Sequence, residues 1–300
     1  MYYIEKADKL SWIEKIFKII KIEENRIIVP IENCDDKEKI DKKQAIKLAN
    51  KTHKLLEKVK SNKLVISKEI QKNSDYINAL YSYGYDIVDG KWLFEAILNN
   101  ILEYIVKEKK IQKEEMPIAV MVNNLTDYTL KNILSIAGEY KSLTIVTNHI
   151  NKLQKVEEKI YEELGLRIIV SNNKKKSLSK TKIIINIDFP EELINKYNIF
   201  DEAIIINVCG NIKINRKRFN GIIINDYDVK FDNIDNISNY QKYFSKELYE
   251  AQFYKNIPFD SLKERIKKEH LEITGLYGLN GKILWNFKKV FIFFYKYNIM

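Results

Sequence analysis

The sequence predicts an α/β protein: a doubly wound parallel sheet, preceded by an N-terminal α/β domain and followed by C-terminal helices. The main observation is a series of short apolar runs between residues 117 and 225, namely IAVMVNN, TIVTN, RIIVSNN, IIINIDF, AIIIN and GIIINDY. Near-continuous Ile and Val runs are typical of strands that are covered on both faces. Helical segments join most of the runs through short connections, which favours parallel pairing through right-handed crossovers.

The first region, residues 1–115, alternates strand and helix patterns of its own. It begins with an amphipathic segment whose apolar residues fall at helical spacing, namely Trp12, Ile16, Ile19 and Ile20. The elements predicted after it are a strand closed by Pro30, a helix over residues 39–60, a strand over 63–67, a helix ending at Gly84 and a long apolar helix over 91–110. A charged run that meets Pro117 marks the end of this domain.

The second region, residues 116–230, contains the predicted sheet. Its strands are expected at residues 118–122, 143–147, 167–171, 182–187 and 203–207. The first helix between them is expected to be capped by Thr126 or Asn124, and the second to end at Gly165. A basic loop is predicted over residues 172–180, and a hairpin or edge extension after residue 207.

The third region, residues 231–300, is predicted to hold a polar linker, two helices and a tail. Ser245 and Asp260 are the expected helix caps. From residue 283 the chain becomes aromatic and basic. We interpret this tail either as an interfacial or partner-binding segment or as a disordered one.

Composition sets limits on the class of protein. The formal net charge is +10, which would attract nucleic acid or an anionic membrane. Only five of the 51 basic residues are arginine, however, and lysine lacks the planar fork that reads bases or grips phosphate in two places. Cys34 and Cys209 are far apart and have no CxxC partner, so neither a disulfide framework nor a zinc site is indicated. No secretory signal and no membrane-spanning run is recognised, and a cytoplasmic protein is expected.

A candidate ligand site follows from the strand ends. In an open parallel sheet, ligands bind beyond the carboxyl ends of the strands. Asparagine carries both a donor and an acceptor, so a row of such residues could bind a nucleotide or a small polar metabolite. Capping and turn formation explain the same residues without a ligand. The polar residues at these ends are Asn123, Asn124, Thr147, Asn148, His149, Ser171, Asn172, Asn186, Asp188 and Asn207.

The order and spacing of elements over residues 117–207 resemble the Rossmann-like NAD(P)-binding domain of the shikimate dehydrogenase and glutamyl-tRNA reductase type of protein. Two segments carry the resemblance, TIVTNHINK at 144–152 and KTKIIINIDFP ending at Pro190. The resemblance implies that Thr147, Asn148 and Lys152 face an adenosine ribose and that Asn186 and Asp188 lie near the nicotinamide. The strand-end row and the resemblance together give the predicted cofactor-binding residues Asn123, Asn124, Thr147, Asn148, Lys152, Asn186 and Asn207. The cofactor itself is not identified, and NAD(P) is the one that the resemblance implies.

The turn after the first strand departs from that family. Dinucleotide binding there uses GxGxxG, which lets the backbone approach the pyrophosphate, whereas this chain has NNLTDYTLKN. Asp127 would also repel phosphate from the first turn of the helix. His149 is a candidate general acid or base, and Asp188 is a second catalytic candidate. His53 and His270 have no metal-ligand spacing, and no metal site is predicted.

Three functional hypotheses result. The leading one is a Rossmann-like protein without the glycine motif that binds a nucleotide or small polar metabolite. The first alternative is an NAD(P)-dependent oxidoreductase. The second is a regulatory or interaction protein that uses its basic loops, which could also track nucleic acid with Phe219 as a stacking residue. The basic residues concerned are Lys174, Lys175, Lys176, Lys180, Lys213, Arg216, Lys217 and Arg218.

Overall fold

The computed structural model describes residues 1–31, 41–113, 116–140, 142–215, 217–232, 241–253 and 256–285. Contacts between Cα atoms divide the chain into two compact units. The first unit comprises residues 1–92 and 230–272, and the second comprises residues 93–229 and 273–300. The domain limits placed at residues 115 and 230 from the sequence stay a prediction.

The elements run as follows along the chain. Up to residue 110 they are β1 (Tyr2–Lys6), α1 (Trp12–Phe17), β2 (Lys21–Glu23), β3 (Arg26–Val29), α2 (Lys42–Val59), β4 (Lys63–Ile66), α3 (Lys68–Gln71), α4 (Ser74–Ser82), β5 (Asp86–Ile87), α5 (Lys91–Ala96) and α6 (Leu98–Lys109). Next come β6 (Ile118–Met121), α7 (Asp127–Glu139), β7 (Leu143–Val146), α8 (Ile150–Leu164), β8 (Ile169–Ser171), α9 (Lys174–Leu178), β9 (Ile183–Asn186), α10 (Glu191–Ile194) and β10 (Ile204–Asn207). The last are β11 (Ile222–Ile224), β12 (Asp226–Lys230), α11 (Ser245–Phe253), α12 (Phe259–Lys268), β13 (Glu272–Gly278) and β14 (Gly281–Lys282).

The first unit contains a five-stranded sheet in the order β2-β3-β1-β4-β5, parallel except for β2. Helices α2 and α4 pack on one face of this sheet, where Ile4, Ile27 and Leu64 form the core with Leu48 and Tyr76. The predicted α2 is confirmed because its regularly spaced apolar residues are buried. The amphipathic segment predicted near the N-terminus forms α1, but most of its apolar side chains are exposed.

Two long helices predicted in the N-terminal region are each divided in the structure. The segment that ends before Gly84 forms α3 and α4, because the Asn73 side chain caps a new helix by accepting the backbone N–H of Tyr76. The predicted helix 91–110 forms α5 and α6, separated at Ile97, whose φ of −100° and ψ of 18° leave the helical range. Apolar periodicity continues across both breaks and therefore could not predict them.

The second unit contains a six-stranded sheet in the order β8-β7-β6-β9-β10-β11. Every neighbouring pair is parallel. Numbered from its first strand, this is the order 3-2-1-4-5-6 of the Rossmann fold, which has its crevice at the carboxyl ends where the order reverses. The predicted doubly wound parallel sheet is therefore confirmed. Thr126 caps α7, and Gly165 ends α8 with a positive φ of 63°, as expected.

The predictions beyond the core strands have different outcomes. The basic loop at 172–180 contains a helix, α9, because the Asn173 side chain accepts the backbone N–H of Lys176 and caps it. Of the hairpin or edge extension expected after residue 207, the edge extension is confirmed, since β11 pairs in parallel with β10 at the edge of the sheet. Helix α12 ends at Lys268 with Asp260 in its first turn rather than at its N-cap, and residues 272–278 form strand β13.

Several sequence predictions lie outside the described residues. They concern Cys34, Arg216, most of the polar linker at 233–240 and the tail after residue 285. Among the helices that are described, none is long and apolar enough to cross a bilayer.

Candidate functional site

The turn after β6 stands where a Rossmann domain receives pyrophosphate. Here a carboxylate of the same chain already accepts its backbone N–H groups. Asn123 donates its N–H to Asp188 Oδ1 and Oδ2 at 2.8 and 3.0 Å, and Asn124 donates to Asp188 Oδ2 at 2.6 Å. Asp188 reaches this position from the connection between β9 and α10. Such charge-assisted bonds are among the stronger ones in proteins, so the carboxylate occupies the donors that a phosphate would need.

Further acidic groups surround the start of α7. Thr126 Oγ1 accepts the N–H of Thr129, and Thr129 Oγ1 donates to Glu95 Oε1 at 2.5 Å. Burial raises the pKa of the Glu95 carboxyl, and the negative charge of Asp188 raises it further. Asp127 lies in the first turn of the same helix. A phosphate at this helix end would therefore meet carboxylates as well as amides.

The strand ends on the other side of β6 form a ladder of buried asparagines. Asn186 and Asn207 are opposite each other in the β9–β10 register, and Asn186 Nδ2 donates to Asn207 Oδ1 at 2.7 Å. Asn207 Nδ2 lies 3.0 Å from Asn225 Oδ1 and also donates to the carbonyls of Cys209 and Gly210. All three asparagine side chains are buried. We call this set the asparagine ladder.

Each end of the asparagine ladder holds a loop. Asn186 Oδ1 accepts the N–H of Phe189, and its Nδ2 also donates to the Phe189 carbonyl. Asn225 makes the equivalent pair of bonds to the N–H and carbonyl of Ile212, both at 3.0 Å. The ladder satisfies the loop backbone from inside the protein, which a buried loop requires.

An open cleft of about 600 Å³ lies beyond β7 and β8, at the start of α8. We call it the α8 cleft. His149 is the N-cap of α8, its side chain makes no capping bond, and the first turn of the helix contains no acidic residue. The polar residues that line the cleft are Asn124, Asn148, His149, Asn151, Lys152 and Asn172.

The floor of the α8 cleft is fixed by hydrogen bonds. Thr147 is buried, and its Oγ1 accepts the N–H of His149 at 3.0 Å. Asn123 Oδ1 accepts the N–H of Asn148 at 2.9 Å and so joins the β6 turn to the β7 turn. Lys174 Nζ donates to the Thr147 carbonyl at 3.1 Å, and partial burial lowers the pKa of this lysine. The cleft therefore has a preformed backbone with exposed polar side chains around it.

The predicted site residues thus separate into three groups. The α8 cleft brings together Asn124, Asn148, His149 and Lys152, whereas Asn123 and Asp188 bond to each other at the β6 turn. Thr147 lies beneath the cleft, and Asn186 and Asn207 belong to the asparagine ladder. Their assignment to cofactor binding or catalysis stays a prediction.

Sequence reasoning did not select Glu95 or Asn225, and it placed Lys174 among the basic residues without its bond to the Thr147 carbonyl. Asn225 ends the run GIIIN in the same way as the other strand ends, which is a signal that could have found it. Glu95 lies within an apolar helix pattern, and nothing local indicates its bond to Thr129. Over the described ranges, no group of three or more His, Cys, Asp or Glu residues could hold a metal ion.

Comparisons with known proteins give no sequence relationship: no protein-family model matches the chain, and no curated protein matches it. Three solved structures are similar to parts of it. Thermococcus litoralis Δ1-pyrroline-2-carboxylate reductase, solved with NADH and L-proline, is 10% identical over 38% of this chain and 36% of its own, with a TM-score of 0.28. Listeria monocytogenes shikimate 5-dehydrogenase, solved with shikimate and NAD, is 12% identical over 55% of this chain and 60% of its own, with a TM-score of 0.33.

A further shikimate dehydrogenase, solved with NADP⁺, is 10% identical over 66% of this chain and 73% of its own, with a TM-score of 0.33. The match to this chain thus covers less than two thirds of the length of the first two proteins. The strand order and parallel pairing of the second unit carry the fold assignment by themselves. At the level of fold, the second unit is therefore Rossmann-like.

Proposed function

We propose that the second unit is a Rossmann-like binding domain that takes a mononucleotide or a phosphorylated polar metabolite in the α8 cleft. The single observation that carries this proposal is the position of Asp188, whose carboxylate accepts the N–H groups of Asn123 and Asn124. These are the donors that a dinucleotide pyrophosphate would use. Among the described residues that line the α8 cleft none is acidic, and its polar side chains are exposed.

The chemistry of the α8 cleft supports a ligand with one phosphate and several hydroxyl groups. Lys152 supplies a positive charge in the first turn of α8, where the helix dipole also favours an anion. Asn148 and Asn172 carry donors and acceptors suited to ribose or other sugar hydroxyls. The His149 ring nitrogens add hydrogen-bonding groups at the same end of the cleft. The proposal includes binding and assigns no reaction.

A full dinucleotide would have to displace Asp188 from two backbone donors. Each charge-assisted bond contributes about 1.5–3 kcal/mol. Losing two such bonds would lower the affinity by a factor of about 100 or more, because each 1.4 kcal/mol corresponds to tenfold. The neighbouring carboxylates of Glu95 and Asp127 would add repulsion. A mononucleotide that binds at α8 avoids this cost.

Thermal-shift measurements with adenosine 5′-monophosphate, NAD, NADP and S-adenosylmethionine test the proposal. We expect adenosine monophosphate to raise the melting temperature, and NAD to raise it no more than the mononucleotide does. No shift with any of these ligands at millimolar concentration would contradict the proposal for nucleotides. The same measurement with sugar phosphates tests whether the ligand is a phosphorylated metabolite other than a nucleotide.

The NAD(P)-dependent oxidoreductase is the second candidate, favoured by the Rossmann strand order. It requires Asp188 to leave the β6 turn when cofactor binds. If so, NADP should bind more tightly than adenosine monophosphate, and Asp188→Ala should tighten NADP binding further. A regulatory protein that uses its basic loops instead predicts retention on nucleic acid at physiological salt, which Lys175→Ala and Lys176→Ala should weaken.

A further inference from the structure

An exposed apolar surface lies in the first unit, separate from the α8 cleft. Trp12, Ile16 and Phe17 have 69%, 61% and 63% of their surface exposed, and Ile13 is exposed beside them. Their spacing places all four on one face of α1. Ile19 and Ile22 continue the exposed apolar surface after the helix. We call these six residues the α1 patch.

The α1 patch is held in place by polar contacts behind it. Ser11 and Glu14 form a capping box at the start of α1, with bonds of 2.8 and 3.3 Å. Lys21 pairs with the Glu14 carboxylate, and this pairing and the capping bonds lower the pKa of Glu14. At the other end, Lys51 Nζ donates to the carbonyls of Phe17 and Lys18 at 2.8 and 3.0 Å. Hydrogen bonds therefore hold both ends of α1, and its apolar face is exposed.

Such a surface is unusual on a monomeric protein, where large apolar side chains are exposed singly and contiguous patches mark interaction sites. The lysine content of the same segment identifies the partner class. Residues 9–22 contain four lysines and one glutamate. Of the acidic residues that border the segment, Asp8 pairs with Lys242 and Glu23 with Arg26, whereas Glu24 is exposed. Trp, Phe and Ile next to lysines are the composition of protein surfaces that lie in a membrane interface.

We propose that the α1 patch docks the protein on an anionic lipid surface. The Trp12, Ile13, Ile16 and Phe17 side chains enter the boundary between headgroups and acyl chains. The neighbouring Lys9 and Lys18 lie at the level of the lipid phosphates. Because α1 is already formed and capped, docking orders little chain, which lowers its entropic cost.

A second copy of the chain fits the α1 patch less well. A two-fold dimer places the same surface of both copies together, so the lysines that flank one α1 patch would lie near those that flank the other. Like charges brought together across an interface oppose association. An anionic membrane has the complementary charge.

Sedimentation of the full chain with lipid vesicles tests this proposal. We expect binding to vesicles of phosphatidylcholine and phosphatidylglycerol, with weak binding to phosphatidylcholine alone. The double variant Trp12→Ser, Phe17→Ser should lower the partition coefficient at least about tenfold, because two large apolar side chains no longer leave water. Both residues are exposed, so the melting temperature should not change.

Two further variants make the result specific. Leu164→Ser with Ile169→Ser is the matched control, since both residues are exposed apolar side chains of the second unit and their substitution should leave vesicle binding unchanged. Trp12→Phe should keep binding but abolish the blue shift of tryptophan emission that vesicles cause.

Three outcomes would overturn the proposal. They are no binding to either kind of vesicle, binding that survives the Trp12→Ser, Phe17→Ser change, or equal binding to neutral and anionic vesicles. Light scattering without lipid gives a fourth criterion. A monomer is expected, and a dimer that this double variant dissociates would assign the α1 patch to a second copy instead.

Discussion

The two halves of the carboxyl edge of the six-stranded sheet end in the same residue type and use it in opposite ways. At β9, β10 and β11, the asparagine ladder is buried and bonds to itself and to two loops. At β7 and β8, Asn148 and Asn172 are exposed and line an open cleft. We call the part of the edge at β9, β10 and β11 the closed half and the part at β7 and β8 the open half. The turn after β6 belongs to the closed half, because Asp188 accepts its N–H groups.

Register explains much of this difference. Asn186 and Asn207 are paired neighbours in the parallel ladder, so their side chains lie within hydrogen-bonding distance and can satisfy each other. Asn148 lies two residues beyond the end of β7, where the chain has already turned toward α8. A polar residue at a strand end is therefore evidence for a ligand only after its internal partners are known.

The largest expected effect comes from breaking the closed half. Asn207→Ala leaves Asn186 Nδ2, Asn225 Oδ1 and two loop carbonyls without this partner in a buried setting. We expect the free energy of unfolding to fall by about 2–4 kcal/mol, measured by urea denaturation. Asn172→Ala in the open half is the control and should change it by less than about 0.5 kcal/mol. Equal losses in both variants would contradict the comparison.

Asp188 is the next most sensitive position. Asp188→Asn keeps the size of the side chain but replaces a charged acceptor of two N–H groups with an amide, so unfolding free energy should fall by about 1–3 kcal/mol. Asp201→Asn, in an exposed turn, is the matched control. A rise in unfolding free energy in Asp188→Asn would mean that the Asp188 carboxylate destabilises the folded protein. The N–H groups of the turn would then be suited to an external anion instead.

Substitutions in the open half should change ligand affinity and leave the free energy of unfolding unchanged. Lys152→Ala removes the cation of the α8 cleft and should weaken adenosine monophosphate binding about tenfold, the value of one charge-assisted contact. Calorimetric titration measures this. Lys155→Ala, exposed one turn further along α8, should leave the affinity unchanged. Equal weakening by both variants would mean that the effect comes from the overall positive charge of α8 and not from a contact made by Lys152.

The smallest effect concerns Glu95 beside the closed turn. Its pKa is raised by burial, so the stability linked to its proton is present at low pH and is lost as pH rises through the folded-state value. Glu95→Gln should therefore stabilise the protein slightly at neutral pH, by about 0.5 kcal/mol or less. Below pH 4.5, the ordinary value for this group, the difference should vanish in melting experiments. A destabilisation at neutral pH would be inconsistent with the raised pKa.

Local rules recovered the core strands of the six-stranded sheet and several helix ends. Thr126 and Gly165 were predicted from capping and left-handed preferences alone, and the parallel sheet followed from the apolar runs. The absence of glycine after β6 already indicated that the turn which usually binds pyrophosphate is missing from this chain.

The remaining features depend on residues that are distant in sequence. Asp188 bonds to Asn123 across 65 positions, and the asparagine ladder depends on a register that no single run encodes. The α1 patch shows a related limit. Amphipathic spacing predicts a helix with two different faces, but it cannot say which face meets the sheet.

The most direct test of the central claim is the location of the bound ligand along this edge. Backbone amide resonances of the deuterated protein can be followed while adenosine monophosphate is added. We expect the amides of residues 148–152 to shift and the amide of Asn123, which is bonded to Asp188, to stay unchanged. Shifts centred on Asn123 and Asn124, with residues 148–152 unchanged, would contradict this expectation.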